Sequence, residues 1–114
     1  MTLDELAREI RGVSDEKLVQ DLARLFEEWK RDDRNVQALE TTIERFFGRV
    51  WIPREDDHAK AYGLWAAFRD DAIRCIGGMT MNERLYSFGL LERFDSCRTE
   101  LEKLVVYDKV HARP

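Results

Sequence analysis

Glu55, Asp56, Asp57 and His58 stand side by side in the stretch REDDH. Carboxylates and an imidazole are the donors from which metal sites and acid–base pairs are built. Their spacing works against both uses. Consecutive helical residues point roughly 100° apart, so three of these neighbours cannot converge on one ion without ligands from elsewhere. Acids in the first turn of a helix face the positive end of its dipole, which accounts for the same residues without chemistry. A small enzyme or metal-binding protein built on Glu55–His58 stays as an alternative, but no catalytic residue, metal ligand or cofactor site is assigned.

Other reactive groups are as poorly placed. His111 falls in the tail HARP, which is expected to fray, and no serine or cysteine pairs with it as nucleophile and base. Cys75 and Cys97 lie in apolar periodic segments, where thiols are expected to be small buried hydrophobes rather than a disulfide or a reactive pair. A glycine-rich phosphate loop, C-x-x-C and H-E-x-x-H are absent from the sequence. Asp32–Asp33 and Asp70–Asp71 each have arginines close by, and solvated ion pairs are the expectation there.

The elements that carry these residues read as helices throughout. Thr2 and Glu5 form a capping box ahead of Leu3, Leu6, Ala7 and Ile10. Ser14 is the expected cap of a second helix, whose apolar stripe is Leu18, Leu22, Leu25, Phe26 and Trp29. Asn35 or Asp33 caps a third, with Val36, Leu39, Ile43, Phe46 and Phe47 on its buried face and Gly48 at its end. Pro53 pushes Ile52 to an extended conformation, so Val50, Trp51 and Ile52 are expected in an ordered loop. A fourth helix is predicted from about Pro53 to Ile76, burying Ala61, Trp65, Phe68, Ala72 and Ile76. Gly77 and Gly78 are expected to close it in the left-handed conformation. Thr80 and Glu83 open a fifth, with Met81, Leu85, Phe88, Leu91 and Phe94 along one side. After a break near 95–99 a sixth turns Cys97, Leu101, Leu104 and Val105 inward, with Tyr107 and Val110 beyond.

The 114 residues, 44% of them apolar, suit one domain with one core, and charged residues at 37% suit long solvated helix faces. The expectation is a single all-α domain over 1–114, an irregular bundle of five or six helices. Trp29, Phe46, Trp65, Phe68, Leu85, Phe88 and Leu104 are its expected core. Nineteen basic against 23 acidic residues give a net charge of −4, which disfavours non-specific attraction to nucleic acid or anionic lipid. No run of about 18 apolar residues is present to span a bilayer, and the acidic, amphipathic MTLDELAREI is unlike a signal peptide. A soluble cytoplasmic protein with no nucleic-acid or membrane partner is expected.

Gly63 and Gly89 fall inside predicted helices, where glycine costs about 1 kcal/mol relative to alanine, so close helix packing is expected, or else a docking surface lined by Tyr86, Gly89 and Arg93. Gly89 shares a helix side with Asn82, Tyr86 and Arg93. A helix–turn–helix with Asn82 and Arg84 near the start of its second helix is the nucleic-acid alternative, lacking a basic cluster for phosphate contacts. The residues MTMNERLYSFGLLERFD (79–95) resemble a segment of small uncharacterised bacterial proteins. The shared pattern over 82–95 is N-E-R-L, an aromatic, then G-L and F-D. That resemblance implies bacterial or phage provenance and a helical C-terminal half, and attaches no function to any residue.

The function expected is a non-enzymatic protein–protein interaction module, such as a regulator, adaptor or immunity-type inhibitor, working through a protein partner or self-association. Its candidate surface combines Trp51 and Ile52 with Tyr86, Gly89 and Arg93, because tryptophan, tyrosine and arginine anchor interfaces. Burial in the core is the competing expectation for Trp51 and Tyr86.

Overall fold

Thr2 begins the first helix as its capping pattern requires: its side chain accepts from the Glu5 N–H while Glu5 accepts from Thr2 N–H. The computed structural model describes residues 1–114 and is helical throughout, with no strand. Helix α1 (Leu3–Arg11) buries Leu3, Leu6, Ala7 and Ile10. Helix α2 (Lys17–Arg31) starts later than Ser14 predicts: Glu16 caps it by accepting from Leu18 N–H, and the Ser14 hydroxyl accepts from Glu16 N–H inside the connecting loop. Its buried face is Val19, Leu22, Ala23, Phe26 and Trp29, with Leu18 and Leu25 only half-buried at the margin. Helix α3 (Val36–Arg49) is capped by Asn35, which accepts from Ala38 N–H at 2.9 Å, and it runs one residue past Gly48.

Helix α4 (Glu55–Phe68) buries Ala61, Trp65 and Phe68. It does not continue as an α-helix to Ile76. Arg69–Ile73 widens into a π turn, in which Arg74 N–H donates to Arg69 O, and Ile76–Gly78 tightens into a 3₁₀ turn. Gly77 and Gly78 are not left-handed; Gly89 alone among the glycines has positive φ. Thr80 and Glu83 form the second capping box at the start of α5 (Met81–Ser87).

Gly89 divides the predicted fifth helix in two. At φ 68° it closes α5: its N–H donates to Tyr86 O and Leu90 N–H donates back to Leu85 O at 2.8 Å. This is the Schellman pattern, with Leu85 and Leu90 supplying the buried apolar pair that accompanies it. Glycine is there because the left-handed turn penalises a side chain. The reversal moves the next helix, α6 (Leu91–Asp95), one residue out of phase, so Leu90 is buried and Leu91, expected in the core, is exposed. Helix α7 (Glu100–Lys109) also differs in phase: Leu101 and Leu104 face outward and Val106 and Lys109 inward, while Val110, just past its end, is buried as expected. Seven α-helical pieces therefore stand where five or six are predicted.

The 22 buried apolar residues form one cluster. Helix α1 packs on α2 and α4, and α2 on α3. Ring pairs link Phe26 to Trp65 (5.7 Å between centroids), Phe68 to Phe88 (5.6 Å) and Phe88 to Trp29 (5.8 Å). Of the predicted core, Phe46 is half-buried and Leu104 exposed; the other five residues are buried. No helix is long and apolar enough to cross a membrane.

Candidate functional site

Three of the five candidate partner-binding residues share one surface. Two concavities, of about 450 Å³ and about 510 Å³, meet at Lys30, Gly89 and Glu92. Arg31, Arg93 and Ser96 line the first, and Asp4, Arg8, Tyr86 and Leu91 the second. Tyr86 is 61% exposed and Leu91 40%, so an aromatic and an aliphatic side chain stand in water near the half-buried Gly89. The Asp4 carboxylate overhangs that glycine: a Cβ there would lie 2.9 Å from Asp4 Oδ2, and Lys30 Nζ holds Asp4 Oδ1 at 2.6 Å.

Arg93 belongs to this surface mainly as a support. Its Nη1 donates to Lys30 O and Asp32 O, at 2.9 and 2.6 Å, and its Nη2 to Asp33 Oδ1 at 2.7 Å, which ties α6 to the carboxyl end of α2. Trp51 and Ile52 lie elsewhere. Ile52 is fully buried and unavailable to a partner, while Trp51 is 65% exposed, stacked on His58 with centroids 4.1 Å apart. Burial of Trp51 and Tyr86 is thus corrected. Gly63 is corrected too: nothing lies within 4 Å of where its Cβ would be, so no helix packs closely on it.

The groups with chemical potential are dispersed or engaged. His58 Nδ1 accepts from Ile52 N–H at 3.3 Å, and Phe47 meets the imidazole edge-on. Asp57 Oδ2 is buried without a hydrogen bond, its nearest cation Arg54 Nε at 3.9 Å. No three His, Cys, Asp or Glu side chains converge as metal ligands. Cys75 is exposed rather than buried, because it follows the π turn that takes the chain out of α-helical phase; Cys97 is half-buried, and both are free thiols. No histidine or cysteine lines the two concavities, and Ser96 donates its hydroxyl to Glu92 O at 2.8 Å. What the surface offers is apolar contact, ion pairing and hydrogen bonding.

Arg84, central to the helix–turn–helix alternative, points inward. It donates to Met79 O, Val110 O and His111 O, at 3.1, 3.0 and 2.7 Å, and Ala112 N–H closes on Tyr107 O at 2.8 Å. The tail is therefore held as far as Ala112 instead of fraying from His111.

Lys109 is absent from the sequence-based expectations. Its side chain is wholly buried, with the ammonium over the Trp29 indole at 3.8 Å from the ring centroid. Nζ donates to Trp29 O, to Asp32 O and Arg34 O at 2.8 Å each, and to Asp32 Oδ1 at 3.1 Å. Burial lowers its pKa from 10.5 to about 8, against the pull of the Asp32 carboxylate and with Arg93 and Arg34 adding repulsion. Burial also works to raise Asp32, but hydrogen bonds from Arg34 and Lys109 outweigh it and hold that carboxyl below its ordinary value. The sequence signal was a lysine on the Val106–Val110 side of α7, recognisable only once that side is known to face inward.

Protein-family models, curated proteins and solved structures provide no match to the chain.

Proposed function

We propose that this chain is a non-enzymatic protein–protein interaction module, of the regulator, adaptor or inhibitor kind, that docks a partner protein on the surface around Gly89. One observation carries the proposal: Tyr86 and Leu91 stand exposed in one concavity with Gly89, which also lines the neighbouring concavity. Side chains of those types anchor interfaces when a partner covers them, and the surrounding Arg8, Arg31, Lys30 and Glu92 supply a polar rim. The test is co-purification with tagged wild-type chain and with a Tyr86→Ala/Leu91→Ala double variant. Both side chains are exposed, so the melting temperature should move by no more than about 2 °C, while the partner is lost. Retention of the partner by the double variant overturns the assignment, as does a partner lost equally with Trp51→Ala.

A second reading, self-association, draws on α7, where Leu101 is 75% and Leu104 40% exposed. Light scattering across a concentration series would then report a dimer that Leu101→Lys dissolves.

A further inference from the structure

The carboxyl end of α2 is built around a cation. A helix leaves its last carbonyls without intrahelical partners and its negative dipole end facing outward. Here Trp29 O, Asp32 O and Arg34 O are gathered on one point with Asp32 Oδ1, and the Trp29 indole closes the remaining side. The occupant comes from far along the chain, 75 to 80 residues away. Four oxygens for three amine hydrogens, with an aromatic face beside them, is the recognition set of a primary ammonium. The guanidinium of Arg93 spreads over Lys30 O, Asp32 O and Asp33 Oδ1, and shares only Asp32 O with the Lys109 amine.

We propose that the turn from Trp29 to Arg34 is a primary-ammonium site, occupied in this fold by the amine of Lys109 and able to accept a free alkylammonium when that amine is removed. The site secures α7, whose other inward side chains are Val106 and Val110. Lys109 works as a tethered ligand: what it contributes beyond its apolar stem is three hydrogens delivered to Trp29 O, Arg34 O and the Asp32 oxygens, of which Asp32 O also accepts from Arg93 and Asp32 Oδ1 from Arg34 N–H.

Chemical complementation separates this from ordinary packing. Lys109→Ala in the full chain removes three methylenes and the amine, the skeleton of n-propylammonium. Thermal unfolding is followed at pH 7 with n-propylammonium chloride, tetramethylammonium chloride, potassium chloride or n-propanol at matched concentration. Propylammonium alone should raise the midpoint of Lys109→Ala, saturably and by about 5 °C at ten times its dissociation constant. Wild type and Lys109→Met, which keeps an apolar stem in place, should not respond in this way. An equal rise with propanol would make the site merely a cavity, and an equal rise with potassium would make it a general cation site; either overturns the proposal. Should Lys109→Ala be unfolded in tetramethylammonium, recovery of helical dichroism in propylammonium supports it. A variant that stays unfolded in every solute, or an unmoved midpoint, overturns it.

Discussion

The helices α1–α4 and the helices α5–α7 are held by different means. In the first group the large buried surfaces meet directly, Leu6 and Ile10 of α1 with Phe26 of α2 and Trp65 of α4 in one cluster, and cations pair with side chains: Arg11 with Glu27, Lys30 with Asp4, Arg69 with Glu44. In the second, each helix contributes one cation that reaches main-chain carbonyls: Arg84 from α5, Arg93 from α6 and Lys109 from α7. Within their helical spans α5 buries only Leu85, α6 no apolar side chain and α7 only Val106, too few to dock by packing alone, and carbonyls at helix and chain ends are acceptors in need of donors. The difference teaches that a charged residue can be a fold determinant when its partner is backbone, whereas exposed ion pairs contribute little.

The largest effect belongs to the packed half. Trp65→Ala removes a fully buried indole that contacts Phe26 and donates to Glu44, and should cost about 3–5 kcal/mol in urea unfolding. Next comes the anchored half. Lys109→Met keeps an apolar stem but takes the amine donor from Trp29 O and Arg34 O, so about 3 kcal/mol is expected, with hydrogen exchange accelerated most in α7. A cost under about 0.5 kcal/mol, the value of an exposed ion pair, would erase the contrast between the halves.

Gly89→Ala tests the seam between α5 and α6. It places a side chain at φ 68° and against the Asp4 carboxylate, and should cost about 1–2 kcal/mol. Adding Asp4→Ala relieves the crowding but not the backbone strain, so only part of the loss returns. Gly63→Ala, in the open on α4, should instead stabilise by roughly 0.5–1 kcal/mol.

A pH dependence sharpens the contrast further. With Lys109 near 8 in the folded chain and 10.5 as the ordinary value, the unfolded chain binds more protons between those limits. Wild-type stability therefore rises with pH across that window relative to Lys109→Met, and the gap between them is flat below about pH 8. Urea unfolding of both proteins at pH 7 and 9.5 measures this; a gap that shrinks in the other direction contradicts it.

Much of the helix placement was legible as a string. Thr2–Glu5, Asn35 and Thr80–Glu83 cap where local hydrogen bonding dictates, and the Ala61–Trp65–Phe68–Ala72 stripe buries as its spacing requires. The candidate surface was legible in part, since Tyr86, Gly89 and Arg93 do gather, but Ile52 is core and Trp51 stands apart. The glycine was misplaced in a helix interior because SFGLL continues the apolar period that Gly89 interrupts; the Leu85–Leu90 pair flanking it was the available signal for a Schellman turn.

What the sequence determined by itself is local: helical class, the starts of α1, α3, α5 and α7 where a side chain caps, and most of the inward faces of α1 to α4. Only the tertiary structure decided the phase of α6 and α7, the exposure of Tyr86, Leu91 and Leu101, and the burial of Lys109. Short helices tolerate more than one inward face on periodicity alone. The choice falls to distant acceptors, and for α7 those acceptors are carbonyls at the end of α2, whose position no side-chain pattern records.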